Sequence, residues 1–373
     1  MTATTIRPGT ATDGSSPPSW LEFDIHGHLG MRVEATAPTA PQLEEMFAPF
    51  RTSGLERVDL TVSGRSEPLD QASHAEEDFH YNGRGLFMAA SGVQIERQDG
   101  GYRASGSREL LTTVLPLVDS ILVRRGVAMI HAATFTYRGQ GVAMPAAGGT
   151  GKTSTVAKLV RLQGVSFMGD DWAFASRHQE LLGYAKPMFI KPHHKPIYPH
   201  LFDGLRKPLV PSSLSMPVAR LTTLVHPVVT QYPRIAGLSR RWSPEHMMVT
   251  PRQAFPEATI ATEAPLRLAV FVERYDGPSS VMEERTTDWM VSRLIGNFHA
   301  EVTRHSQEVM TVLGAVGLLP LEETFACKAE VLNSALAGRP AHLLRVPRQM
   351  SADQASDSIV EHLQRLLDGV GTG

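Results

Sequence analysis

Three short stretches carry side chains whose types and spacing can do chemistry: "GVAMPAAGGTGKTSTVAKLV" (141–160), "FMGDDWAF" (167–174) and "MIHAATF" (129–135). In the first, Gly149 and Gly151 flank Thr150, and Lys152 and Thr153 follow. A phosphate-cradling loop needs glycines where backbone N–H groups crowd around an anion, a lysine to reach outer phosphates, and a hydroxyl for magnesium. Here the first glycine of the pattern G-x-x-x-x-G-K-[ST] is replaced by Ala146. Val156, Leu159 and Val160 fall at i, i+3 and i+4, so the spacing predicts a helix from Thr153 to about Gln163, with Gly164 as its stop. Such a helix aims its positive N-terminal dipole at the loop. The competing reading is a glycine-rich turn that merely precedes a helix.

The second stretch puts Asp170 and Asp171 at the end of the strand that follows the loop's helix. A strand–helix–strand return can bring that end beside the loop. Adjacent side chains on an extended backbone point to opposite faces, so one carboxylate can help hold magnesium while the other faces an acceptor hydroxyl. The plainer use of such a pair is an Asx-type turn. His131, in the third stretch, lies beside apolar residues and reads equally as a satisfied core or turn histidine.

The elements that must position these residues are legible as patterns. "GVAMI", "TFTYRG" and "GVAMP" read as strands, the last two joined at Gly139-Gln140-Gly141, and "VSFM" reads as a buried strand. "DWAFAS" and "LLGYA" can pair across His178-Gln179. Ahead of them, "SRELLTTVLPLVDSILVRR" predicts a helix kinked at Pro116. Later, "LTTLVHPVV" and "LRLAVFVER" read as core strands, and "TTDWMVSRLIGNFHAEV" and "SDSIVEHLQRLLDGV" as helices. Between them lies an irregular stretch with Lys186, Lys191, His193, His194 and Lys195. It could clamp an anionic acceptor, with Lys191 as the substrate contact, or it could be a solvated loop. The pair Arg240-Arg241 is open to the same two readings.

Residues 1–20, rich in Thr, Ser, Pro and Gly, predict a disordered lead-in. Residues 21–106 alternate as short strands around one helix, "APQLEEMFAPF", with a hairpin at Asp99-Gly100-Gly101, and predict a small α+β domain. Over the 373 residues the formal net charge of −2 gives no electrostatic case for a nucleic-acid or anionic-membrane partner. The single cysteine, Cys327, excludes an internal disulfide and fits a reducing cytoplasm. No apolar stretch approaches the roughly 18 residues of a membrane span.

Taken together, "IHAATF…GVAMPAAGGTGKTS…GVSFMGDDWAF" resembles the catalytic domain of HPr kinase/phosphorylase and related proteins, and its loop and "GDD" pair look like those of phosphoenolpyruvate carboxykinases. The resemblance covers about residues 126–185, with a looser likeness of element order toward residue 370. It implies an α/β fold with a P-loop kinase core, spanning residues 107–370, that transfers phosphate from ATP with magnesium to a hydroxyl of a small molecule or a peptide serine. It implies that Ala147, Gly148, Gly149, Thr150, Gly151, Lys152, Thr153 and Ser154 hold the nucleotide, with Lys152 on the β- and γ-phosphates and Thr153 on magnesium. It further implies Asp170 as the base with His131 near it, and Asp171 as the metal partner. Ala146 and Gly148 stand where the family has Gly and Ser, and the carboxy-terminal signature of the true HPr kinases is missing, which turns the expected acceptor away from HPr. The family also admits the reverse reaction on a phosphoserine-like ester, and a silent nucleotide-binding partner protein is the alternative from another class. Association with further copies of the chain stays open.

Overall fold

Alternation of apolar and polar residues through the first hundred positions produces a mixed sheet. In the computed structural model, which describes residues 19–66, 69, 74–75, 78–106, 109–190, 194–202 and 247–370, nine strands assemble there. They are β1 (Trp20–Ile25), β2 (Leu29–Glu34), β3 (Arg51–Thr52), β4 (Leu60–Ser63), β5 (His74–Ala75), β6 (Phe79–Tyr81), β7 (Gly85–Met88), β8 (Val93–Gln98) and β9 (Gly101–Ser105). Their order in the sheet is β3-β1-β2-β4-β9-β8-β7-β6-β5, with helix α1 (Ala40–Met46) between β2 and β3 in sequence. The expected hairpin is present, with Asp99-Gly100 between β8 and β9. Strands β3 and β5 to β7 are short and carry no clear period, and the sequence does not announce them.

Helix α2 (Glu109–Val123) carries Pro116 in its interior. Strands "GVAMI" and "TFTYRG" are one strand, β10 (Val127–Tyr137), which carries His131 at its centre. Arg138 and Gly139, both at positive φ, turn the chain into β11 (Gln140–Pro145), the two-residue hairpin geometry that matches strand twist. Then come α3 (Lys152–Leu159), β12 (Val165–Gly169), β13 (Trp172–Ser176) and β14 (Glu180–Leu182), the last two paired antiparallel as expected. A small ladder joins β15 (Met188–Ile190) to β16 (Met247–Val249), with single turns α4 (Pro199–Phe202) and α5 (Pro251–Ala254) nearby in sequence. The chain ends with β17 (Glu263–Tyr275), β18 (Val281–Arg285), α6 (Thr287–Glu301), α7 (Arg304–Ala315), α8 (Leu321–Leu336), β19 (Ala341–Pro347) and α9 (Ala352–Val370). The expected strand "LTTLVHPVV", with Lys191, His193, Arg240 and Arg241, lies outside the described residues.

The second sheet folds back on itself. β17 pairs antiparallel with β14 by its first residues, then parallel with β11, and farther along with β19. Strands β11, β10, β13, β14 and β17 therefore form a closed circuit. Its two faces bury different helices: α3 and α9 with Phe135, Phe167 and Val270 on one, α6 and α8 with Ile130, Ala269 and Leu343 on the other. The protein is mixed α/β with two large sheets. The core of the first sheet continues without a gap into α2, β13 and α7, so residue 106 marks a change of sheet and no break in packing.

One interaction deep in this core is ionic. Lys328 on α8 donates to Asp119 Oδ2 on α2 at 2.7 Å, their side chains 2% and 5% exposed. Asp119 Oδ1 accepts the Met129 N–H at 2.8 Å, and the Lys328 ammonium sits 3.3 Å from the centroid of the Phe298 ring. Removing one member of a buried pair strands the other charge, which costs about 3–5 kcal/mol. Lys328→Met should lower the urea-unfolding free energy at pH 7 by that amount. The double variant Asp119→Asn/Lys328→Met should recover most of the loss, because asparagine still accepts from Met129. Equal losses in both proteins would show that the ion pair is not the source.

Candidate functional site

The loop between β11 and α3 has a conformation that its residues dictate. Gly149 and Gly151 lie at φ +76° and +109°, where a side chain would be strained. Ala146 needs no such freedom: it is fully buried and bridges Val272 of β17 as a strand residue would. That explains why alanine fits where the common loop pattern has glycine. Thr150 closes the turn by donating to the Ala147 carbonyl at 2.7 Å. Lys152 curls back onto the loop, donating to the carbonyls of Ala146 at 2.5 Å and Ala147 at 3.5 Å. Burial lowers its pKa, an effect the carboxylates of Asp171, Glu301 and Asp170 oppose. No side chain caps α3, so its first-turn N–H groups are available to an anion. Ala147, Gly148 and Gly149 are exposed at the mouth of the loop, while Ser154 is buried beneath it.

β12 and β13 both pair antiparallel with β10, one after the other, and the step between them is Asp170-Asp171. The two side chains diverge. Thr153 Oγ1 donates to Asp170 Oδ2 at 3.0 Å. Asp170 Oδ1 is buried and has no hydrogen-bond partner among the described residues. Burial, then repulsion from Asp171, raises the Asp170 pKa from 3.8 to about 6, against the Thr153 hydrogen bond and the nearby Lys186 and Lys152.

Asp171 turns the other way. Its Oδ1 accepts from His131 Nε2 at 3.1 Å, and its Oδ2 lies 3.0 Å from Lys186 Nζ. Burial pushes this carboxyl up, but the His131 hydrogen bond and the Lys186 ammonium outweigh it and hold Asp171 well below the usual carboxylate range. The contacts group these residues differently from what the resemblance implies: His131 stands with Asp171, and Thr153 stands with Asp170.

His131 is buried, 5.1 Å from the Trp172 ring, which in turn meets Phe298 at 5.3 Å. Asn297 on α6 donates to the His131 carbonyl at 2.8 Å and approaches its Nδ1 at 3.2 Å. With Nδ1 accepting, Nε2 carries the proton given to Asp171. Glu301, at the end of the same helix, lies 3.6 Å from His131 Nδ1 and accepts the Gly148 N–H at 3.1 Å. Tyr198 has a buried hydroxyl without a partner among the described residues, its pKa raised by burial and by the charge of Asp170.

Asn297, Glu301 and Tyr198 were not singled out by the sequence reading. The signal for the first was present: Met290, Val291, Leu294 and Phe298 form the apolar stripe of α6, and Asn297 interrupts it as a polar residue. Lys186, expected only as part of a basic stretch, reaches Asp171 at 3.0 Å. Lys195 is exposed, and Lys191 is outside the described residues. No protein-family model matches the chain, and no curated protein matches it. No helix among the described residues is long and apolar enough to cross a membrane.

A raised carboxyl pKa has a consequence for stability. The native state holds the Asp170 proton more tightly than the unfolded chain, so stability falls as pH rises from about 4 to about 6 and stays low above. At about 1.4 kcal/mol per pH unit this amounts to about 3 kcal/mol at pH 8. Asp170→Asn should therefore be more stable than the wild type by up to about that much at pH 8 in metal-free buffer, with the gain vanishing near pH 4. Denaturant titrations at the two pH values check this, and a gain independent of pH would disconnect it from the carboxylate.

Proposed function

We propose that this protein is an ATP- and magnesium-dependent phosphotransferase that acts on a hydroxyl, with the loop at 146–151 as its phosphate site and a P-loop core of the HPr kinase type. The observation that carries the reading is the meeting of Thr153 with Asp170, whose second carboxylate oxygen is buried and has no hydrogen-bond partner among the described residues. A hydroxyl and a carboxylate at the mouth of an uncapped helix are hard oxygen donors of the kind magnesium takes. Among the described residues no group of three or more His, Cys, Asp or Glu side chains is arranged around a metal. Magnesium in nucleotide sites does not need one, since one or two carboxylates suffice when phosphates and water complete the shell. Thr153 and Asp170 would hold the ion, which would neutralise charge on the phosphates.

The remaining roles follow from chemistry in reach. Lys152 would leave the loop carbonyls for the outer phosphates, since a phosphate dianion is a better acceptor than a peptide oxygen. Asp171 would receive the hydrogen bond of the acceptor hydroxyl, oriented by His131 and Lys186. A carboxyl held so low is a weak base. In a loose phosphoryl-transfer transition state, positioning and charge neutralisation count for more than early proton removal. This exchanges the roles that the family resemblance implies for the two aspartates. The acceptor class, a small molecule or a peptide serine, is best found by screening labelled ATP against peptides, amino acids, sugars and metabolites.

Two measurements test the reading. Lys152→Ala should weaken ATP binding in calorimetry by about 10–100-fold, the worth of a charged hydrogen bond, and unchanged affinity in a folded variant sinks the loop assignment. Slow ATP hydrolysis, with water as acceptor, reads the transfer step without a known substrate. Asp170→Asn should raise the magnesium concentration needed for that reaction. Asp171→Asn should lower its rate by about 10²-fold at saturating magnesium, the cost of a mispositioned acceptor. The reverse pattern would return the roles to the family assignment, and full activity in both would remove the pair from the mechanism.

A further inference from the structure

Glu301 is the last residue of α6, where the helix dipole presents its negative end. A carboxylate is disfavoured there. Its contacts lie across the chain, on the Gly148 N–H of the loop at 3.1 Å and near His131 Nδ1 at 3.6 Å. The Gly148 Cα lies so close that a Cβ built there would stand in ordinary contact, 3.6 Å, with Glu301 Oε1. The carboxylate is thus an anion held against a loop whose exposed N–H groups suit anions, supplied by the protein itself. Asn297, one helical turn earlier on the same face, is fixed to the His131 carbonyl and sets the height of α6 above the loop.

We infer that Glu301 is a built-in competitor for the phosphate position of the loop. It occupies the Gly148 N–H, and an incoming phosphate takes that donor only by displacing it. A singly charged anion gains little over the carboxylate it replaces. A magnesium-bound polyphosphate brings more acceptor oxygens and its own counter-charge, so the device favours di- and triphosphates over small anions. This rests on the phosphate-loop reading above.

The test is calorimetry of Mg·ATP binding to the full chain, with Glu301→Gln and Glu301→Asp beside the wild type. Glutamine removes the charge, and aspartate keeps it but is one methylene too short to reach Gly148. Both variants should bind Mg·ATP about tenfold more tightly, the lower end of what a charged hydrogen bond is worth. Hydrogen exchange at the Gly148 amide should be faster in both than in the wild type and slow again when Mg·ATP is added. Unchanged or weaker binding in both variants overturns the inference, because it makes Glu301 a support of the loop. Tightening in Glu301→Gln alone also overturns it, leaving only general charge repulsion. Absence of Mg·ATP binding by all three proteins defeats the phosphate-loop reading itself, and the competitor falls with it.

Discussion

Between Gly169 and Trp172 the chain stops pairing with the second half of β10 and begins pairing with the first, and the two residues at that step are Asp170 and Asp171. Everything in the site depends on this register. The Asp171 carbonyl accepts the Ala132 N–H at 3.0 Å, which ties the step to the residue after His131. With His131 opposite Trp172, Asp171 has the imidazole within reach, and its neighbour must face the other way, toward α3. A slip of one residue would send each carboxylate to the face the other occupies. Such a slip is costly because it would also turn Phe167 of β12 and Ala173 of β13 out of two different cores.

The same register concentrates charge. Asp170, Asp171 and Glu301 surround Lys152, and Lys186 adds a second ammonium on the far side. Carboxylates this close cannot all be comfortable as anions, and the structure divides the burden unequally. Asp171 receives the histidine and Lys186, while Asp170 receives one hydroxyl and a buried, unpartnered oxygen. Such unequal treatment of neighbouring acids is common at functional sites. The buried Asp119–Lys328 pair makes the contrast: each of its charges is answered, and it anchors Phe298, which packs on Trp172 behind His131.

Local patterns made much of this legible. The loop, the helix after it, the Asp170-Asp171 strand end, the β13–β14 hairpin and the helices at 287–301 and 352–370 all follow from periodicity and turn chemistry in consecutive residues. The partition of the aspartates does not, because it depends on which half of β10 each neighbouring strand meets, a pairing between segments some 40 residues apart. Glu301 and Asn297 lie farther still from the loop in sequence, and α7 and α8 carry no motif to draw attention. Ala146 is the converse case. As a departure from a motif it weakens the match, yet its strand-like bridge to Val272 removes the need for glycine at that position.

The first sheet bears on the site through a segment rather than through a residue of its own. Lys186 reaches Asp171 from a stretch, 183–186, that belongs to no strand. Irregular backbone keeps a fixed path only where its polar groups are answered. Here the answer comes from residues 21–106: His26 Nε2 bonds the Gly183 carbonyl at 2.9 Å, and the Tyr184 hydroxyl donates to the Met46 carbonyl at 3.0 Å. Tyr184 is stacked against Phe47, at the end of α1, and Phe174 of β13, so the aromatic packing between the two parts also immobilises the base of Lys186. Arg125, following α2, adds a two-pronged bond to Asp59 that fixes the turn before β4 against the start of β10. The amino-terminal sheet carries no chemical motif, and its structural contribution is to hold the ammonium group that joins the His131 hydrogen bond in lowering the Asp171 pKa.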